Sequence, residues 1–289
     1  MTVIHPATDV ELSNGKRMPA LHFGVYQITD PKVCQKAVED AFEVGYRAVD
    51  TAASYGNEAA VGAAIRASGL ARDEVFVTTK LWVEDASKAG AERAVARSLE
   101  KLGLDRIDLY LLHQPFGDVY GAWRTMERLV DEGVLGSIGV SNFSPDRLVD
   151  FWYHQRIKPV VNQIEINPFR QQREALPILA QYGVRAEAWA PFGEGRNGLF
   201  TNPVLQSIAR KHDRSVAQIV LRYVLELGAL AVAKTVSPER MRENRALFDF
   251  ALDEDDRTAL AAFDTGKSLF FSHRDPAVVE WMCKRRLAL

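Results

Sequence analysis

Cysteine is scarce in this chain. Its 289 residues hold two, Cys34 and Cys283, far apart and outside any metal-ligand spacing. That excludes a disulfide framework and a cysteine-built metal centre, and two free thiols suit a reducing cytoplasm. Long apolar runs are missing as well. The most apolar span, IVLRYVLELGALAVA, is broken by Arg222 and Glu226, so no segment reads as a membrane crossing. The opening MTVIHPATDVELSNG lacks a basic-then-apolar leader pattern. Neither sign of charge dominates. The 36 basic and 38 acidic residues are interspersed and sum to −2, which leaves no basic field for nucleic acid or an anionic membrane. No G-x-G-x-x-G follows the first strand-like run, where FGVYQ stands instead, and this argues against a doubly wound dinucleotide fold. No Pro- or Ser-rich linker divides the chain, so residues 1–289 read as one domain.

What is present is a regular alternation. VELSNGKRMP predicts a hairpin in which Asn14-Gly15 supplies the positive φ angles of a two-residue turn. Eight strand-like runs follow: ALHFGV, YRAVDTA, VFVTTKLW, IDLYLLHQ, LGSIGVSNF, PVVNQIEIN, VRAEAWAP and ALAVAKT. Most are near-continuous apolar stretches, as expected of parallel strands buried on both faces. Amphipathic segments such as PKVCQKAVEDAFEVG and VYGAWRTMERLVDEG lie between them. Several end in glycine, and Ser144-Pro145 and Ser237-Pro238 each read as a helix N-cap followed by N1. Eight βα units in one chain predict a (β/α)8 barrel with an N-terminal hairpin. Two helical segments before the last strand, a further helix at DEDDRTALAAFD and a C-terminal loop, GKSLFFSHRDPAVVEWMCKRRLAL, are additions to that plan.

Chemistry on such a barrel sits where strands end. Reading those ends gives Gly24 and Tyr26, Asp50 and Tyr55, Lys80 and Trp82, His113 and Gln114, Ser141 and Asn142, Gln163, Trp189, and Lys234 with Thr235. Asp50 beside Lys80 is expected to keep the lysine protonated, which opposes a Schiff-base role for it. A protonated Lys80 beside Tyr55 is expected to lower the phenol's pKa, making Tyr55 a general acid for a developing alkoxide. His113 would orient a carbonyl or share the proton. No activated Ser or Cys and no metal cluster is visible, and a hydride from a cofactor would supply the missing nucleophile.

In LAVAKTVSPERMREN, Lys234, Thr235 and Arg240 gather two charges and a hydroxyl at a helix N-terminus. This suits a phosphate such as the 2′-phosphate of NADP. The plainer alternative is a solvated basic helix end capped by Ser237.

Taken together, the motifs resemble the aldo-keto reductases along nearly the whole chain. VDTAASYGNE, TTKLW, IDLYLLHQP, GSIGVSNF, VVNQIEINP and KTVSPERMREN each resemble a family block, in the family's order. FFSHRDP and LLHQPFGDVYGAWR look most like the bacterial 2,5-diketo-D-gluconate reductase-like branch. The resemblance implies an NADPH-dependent carbonyl reductase, monomeric by family habit, that acts on small aldehydes, ketoaldehydes, diketones or keto-sugars such as 2,5-diketo-D-gluconate. It implies Tyr55 as general acid with Asp50, Lys80 and His113. It also implies Ser141, Asn142 and Gln163 on the nicotinamide carboxamide, Trp189 against the ring, and Gly24 and Tyr26 near the cofactor. Lys234, Thr235 and Arg240 would meet the 2′-phosphate, and Glu243 and Asn244 the adenine. Tyr26, Trp82, Gln114, Phe116, Phe270 and Phe271 are candidate pocket residues, with core packing the alternative for the aromatics. Gln114 stands where many relatives carry Trp. The competing functional reading is a binding module that senses nicotinamide redox state.

Overall fold

The computed structural model describes residues 8–287; part of the N-terminal stretch read above for a leader, residues 1–7, lies outside that range. The hairpin is present as β1 (Asp9–Glu11) and β2 (Arg17–Pro19), with Glu11 opposite Arg17. Its turn is longer than predicted. Leu12 N donates to Lys16 O at 2.8 Å and Gly15 N to Leu12 O at 2.9 Å, so Ser13, Asn14 and Gly15 form a three-residue loop. Only Gly15 has positive φ, at 79°. A three-residue loop built on one left-handed glycine needs no second such residue, and this leaves Asn14 free to point elsewhere. Its amide donates to Ser137 Oγ at 2.9 Å and ties the hairpin to the barrel.

Eight parallel strands close the barrel in the order β10-β3-β4-β5-β6-β7-β8-β9. They are β3 (Leu21–Gly24), β4 (Ala48–Asp50), β5 (Phe76–Leu81), β6 (Ile107–Leu112), β7 (Leu135–Ser141), β8 (Val161–Glu165), β9 (Arg185–Trp189) and β10 (Leu230–Ala233). Val49, Val77, Leu109, Leu111 and Val140 are completely buried within them. Each such side chain contributes about 1.5–3 kcal/mol relative to exposure.

The connecting helices are α1 (Pro31–Val44), α2 (Glu58–Ala67), α3 (Lys88–Leu102), α4 (Val119–Asp131), α5 (Pro145–Tyr153) and α6 (Ala175–Gln181). After β9 come α7 (Pro203–His212) and α8 (Val216–Glu226), and after β10 comes α9 (Pro238–Arg245). The first helix shows why these segments fold as they do. Asp30 accepts from the backbone N–H of Lys32 and Val33, Pro31 takes the first turn, and Gly45 ends the helix at φ 102°. Its buried residues, Cys34, Ala37, Val38, Ala41 and Phe42, form one helical stripe. Ser237 caps α9 as predicted, but Ser144 does not cap α5. Its hydroxyl donates to Asp146 Oδ1 at 2.6 Å, a charged acceptor that outcompetes a backbone N–H.

Two further helices, α10 (Glu254–Ala261) and α11 (Pro276–Lys284), follow the barrel. Met282 of α11 is buried in a small cluster with Trp82 and Val83, just past the end of β5. That contact returns the chain's last segment to the C-terminal mouth of the barrel.

Candidate active site

Asp50 ends β4 opposite Thr78 of β5, and Lys80 lies two residues further along the same face of β5. Register alone therefore brings them together. Lys80 is fully buried, and its Nζ donates to Asp50 Oδ1 at 2.6 Å, to Thr51 O at 2.9 Å and to Tyr55 Oη at 3.3 Å. Tyr55 sits in a single 3-10 turn, Ala53–Tyr55, closed by Gly56 at φ 72°. Asn57 holds that turn in place. It accepts from Thr51 Oγ1 at 2.8 Å and donates to Val25 O at 2.9 Å and Ile28 O at 3.2 Å. His113 follows β6. Its ring stands edge-on to Trp82 at 5.3 Å and to Tyr55 at 5.8 Å, and its Nδ1 lies 3.3 Å from Ser54 Oγ.

The electrostatics follow from burial. Desolvation pulls Lys80 down, but Asp50, Tyr55 and Glu187 together outweigh it and the ammonium is held above its ordinary value. Tyr55 departs from expectation. Burial pushes its phenol up to about 12, with Asp50 adding to the rise, and the downward pull of Lys80 only partly offsets this. The sequence argument counted the lysine and omitted the dry surroundings. Burial, then the charges of Lys80 and Arg285, hold His113 well below the usual imidazole range, so the ring is neutral at pH 7.

A polar face adjoins this group at the ends of β7, β8 and β9. Asn142 has φ 63°; its Nδ2 donates to His113 O at 3.0 Å, and its Oδ1 accepts from Trp189 Nε1 at 2.9 Å. Ser141 Oγ donates to Gln163 O at 2.8 Å. Gln163 gives both amide hydrogens away, to Asp50 Oδ2 and to Glu187 Oε2, each at 2.8 Å. Two carboxyl oxygens at that distance fix the amide's orientation, so only its carbonyl oxygen remains for a ligand. Gly24 is tightly packed, since a Cβ there would meet Val232 Cγ1 at 2.7 Å. Past β10, Lys234 and Arg240 are exposed and carry no ion pair among the described residues. Thr235 Oγ1 accepts from Ser237 N at 3.1 Å. Glu243 and Asn244 follow on α9, with Asn244 buried.

Comparison with known proteins bears directly on this arrangement. Residues 20–265 match the Aldo/keto reductase family. The chain belongs to that family. Methylglyoxal reductase DkgA of Salmonella typhimurium is 40% identical over 265 residues, covering 91% of this chain and 95% of the relative. The crystal structure of MGS-M4, an aldo-keto reductase from a Medee basin deep-sea metagenome library, superposes with a TM-score of 0.89 at 37% identity, over 92% of this chain and 98% of that one. The Bombyx mori aldo-keto reductase in complex with NADP gives a TM-score of 0.87 at 33% identity, over 92% and 95%.

In this aldo-keto reductase the C-terminal loop brings its aromatics to the barrel mouth. Phe270 lies 5.3 Å from Trp189, Phe271 lies 5.1 Å from His273, and His273 lies 6.3 Å from Phe116. Tyr26 is half exposed with its ring 4.9 Å from Tyr55. Gln114 is buried, and its Oε1 has no hydrogen-bond partner. One buried residue escaped the sequence reading. Glu187 of β9 supports Gln163, and its carboxyl lies 3.1 Å from His22 Nδ1. The signal for Glu187 was alternation: it lies two residues before Trp189 and shares its side of the strand.

Proposed function

We propose that the chain is an NADPH-dependent reductase of small aldehydes and ketones, with Tyr55 as the general acid. The observation that carries this reading is the contact of Lys80 Nζ with both Asp50 and Tyr55 Oη inside the barrel. NADPH, when bound, supplies the hydride. Tyr55 gives its phenolic proton to the oxygen that gains the charge, and Lys80 stabilises the tyrosinate left behind. Asp50 keeps Lys80 charged. Neutral His113 offers a ring nitrogen to orient the carbonyl.

The residues present fit the cofactor. Gln163 turns a carbonyl oxygen outward to accept from a carboxamide, and Trp189, locked by Asn142, presents a ring beside it. Ser141 and Asn142 lie within the same polar face. The cations of Lys234 and Arg240, unpaired among the described residues, suit the 2′-phosphate together with Thr235, and we assign Glu243 and Asn244, further along α9, to the adenine. The Salmonella relative's name, methylglyoxal reductase, and the NADP in the Bombyx mori complex agree with this chemistry. We assign ketoaldehydes such as methylglyoxal first, then diketones and keto-sugars, and a cytoplasmic monomer as the working form.

The test is loss of reduced-nicotinamide absorbance with methylglyoxal, phenylglyoxal, diacetyl and a keto-sugar, in NADPH and NADH. Tyr55→Phe is expected to lower kcat roughly 10²–10⁴-fold while still binding NADPH. Unchanged turnover in that variant would remove Tyr55 from the mechanism. Cofactor binding by the wild type with no turnover of any substrate favours the redox-sensing module.

A further inference from the structure

The last described residues carry a cation to the mouth of the site. Trp82 Nε1 donates to Arg285 O at 3.2 Å, which fixes the backbone. The Arg285 guanidinium then lies over the Trp82 ring, 5.2 Å from its centroid, and reaches toward Ser54 O at 3.5 Å. The side chains of Trp82 and Ser54, with that of Tyr55, flank His113. The cation is thus held beside the imidazole by an aromatic face and a carbonyl.

No carboxylate pairs with Arg285 among the described residues, and the acids around it are engaged elsewhere. Asp85 pairs with Arg97, Glu280 with Lys284, and Glu84 Oε1 accepts from Leu287 N at 3.1 Å. Of the neighbouring cations, Arg286 donates to Cys283 O at 2.7 Å and Arg274 lies 3.6 Å from Asp146. Within the mouth, His273 Nε2 and Gln114 Oε1 are buried and have no hydrogen-bond partner among the described residues. Unsatisfied buried polar atoms are uncommon in a finished site and point to a polar ligand. The field of Arg285 is already felt at His113, whose imidazole it helps to keep neutral.

We propose that Arg285 is a specificity residue that recognises a carboxylate on the substrate, so that among aldehydes and ketones matched in size those bearing an acid group beyond the reacting carbonyl are preferred to their neutral counterparts. This rests on the carbonyl-reductase reading above and refines it. A guanidinium oriented on an aromatic face meets a carboxylate with two parallel N–H donors. The carbonyl end of such a substrate lies toward Tyr55 and His113, and its acid end lies toward the tail.

The experiment compares matched substrates, 4-carboxybenzaldehyde against 4-methylbenzaldehyde and succinate semialdehyde against butanal, by NADPH oxidation. The wild type is expected to favour the acid of each pair in kcat/KM, mainly through KM, and to lose that preference between about 0.05 and 0.5 M salt. Arg285→Ala should lower the acid-to-neutral ratio about tenfold, Arg285→Lys should restore part of it, and Arg285→Glu should invert it. An unchanged ratio across these variants, with unaltered thermal midpoints, overturns the assignment of Arg285. A wild type that turns over both members of each pair equally does the same and leaves the reductase reading standing. A wild type that binds NADPH and reduces neither these pairs nor methylglyoxal, phenylglyoxal, diacetyl or a keto-sugar overturns both.

Discussion

Tyr55 shows how opposing effects settle at a single atom. Burial raises its phenol to about 12, and Lys80 restrains the rise without reversing it. The sign of the pH dependence follows. With Tyr55 as the proposed general acid, reduction consumes the protonated phenol, so kcat/KM for carbonyl reduction should hold from about pH 6 to about pH 9 and fall only toward the phenol's own range. Alcohol oxidation needs the phenolate and should rise over the same interval. Profiles in both directions check this, and a reductive limb that drops below neutral pH would contradict it. Glu187 gives a second reading at this scale, in stability. Burial and the nearby Asp50 raise its carboxyl from 4.5 to about 8. The folded state keeps a proton that the unfolded chain releases, so this contribution is complete below about pH 4.5 and is lost as pH rises toward 8. The groups facing it are Asp50, Lys80, Gln163 and His22. The last is held down to about 3 by burial, so its own loss of stability comes on acidification, in a lower window. Glu187→Gln should therefore flatten the decline in thermal midpoint between about pH 5 and about pH 8.

At the scale of elements, the decisive one is α9 with the loop before it. Lys234 directly follows β10, Ser237 and Pro238 start the helix, and Arg240 stands in its first turn. A helix N-terminus already favours an anion, and two unpaired cations strengthen that preference. Lys234→Ala and Arg240→Ala are each expected to weaken NADPH binding about tenfold, with a much smaller effect on NADH, as measured by tryptophan fluorescence quenching. Equal losses for both cofactors would return this segment to a solvated basic helix end. The residues of α9 and the spacing of Ser-Pro were plain in the sequence because capping is local chemistry. Ser144 shows the limit of that reasoning. The same Ser-Pro pair stands there, but a carboxylate two residues on captured the hydroxyl.

Across the whole molecule, function depends on contacts between segments far apart in the chain. Trp82 is 3% exposed because α11 covers it through Met282, some two hundred positions later. Met282→Asp should release α11 at a cost of roughly 3 kcal/mol to that contact. The expected result is a several-fold rise in substrate KM with NADPH affinity retained, since the residues proposed for the cofactor lie on β7 to β10 and α9 rather than on the tail. A parallel loss of NADPH binding would show that the tail supports the barrel as a whole. The barrel itself needs no such closure: strand register places Asp50, Lys80 and Gln163 from three different strands in one buried group.

The sequence by itself determined the eight strands, the helices between them and the ring of polar residues at the strand ends. Those features follow from periodicity, capping and turn chemistry, which act over a few residues. It did not determine the length of the Asn14-Gly15 turn, the rise in the Tyr55 pKa, the support of Gln163 by Glu187 or the seat of the C-terminal loop. Each of these depends on what lies across the barrel: a hydroxyl on β7 for Asn14, desolvation by its neighbours for Tyr55, a neighbouring strand for Glu187, and Trp82 for α11. Local chemistry sets which residues face the site. Their protonation and final partners are decided by burial and by segments that meet only when the barrel closes.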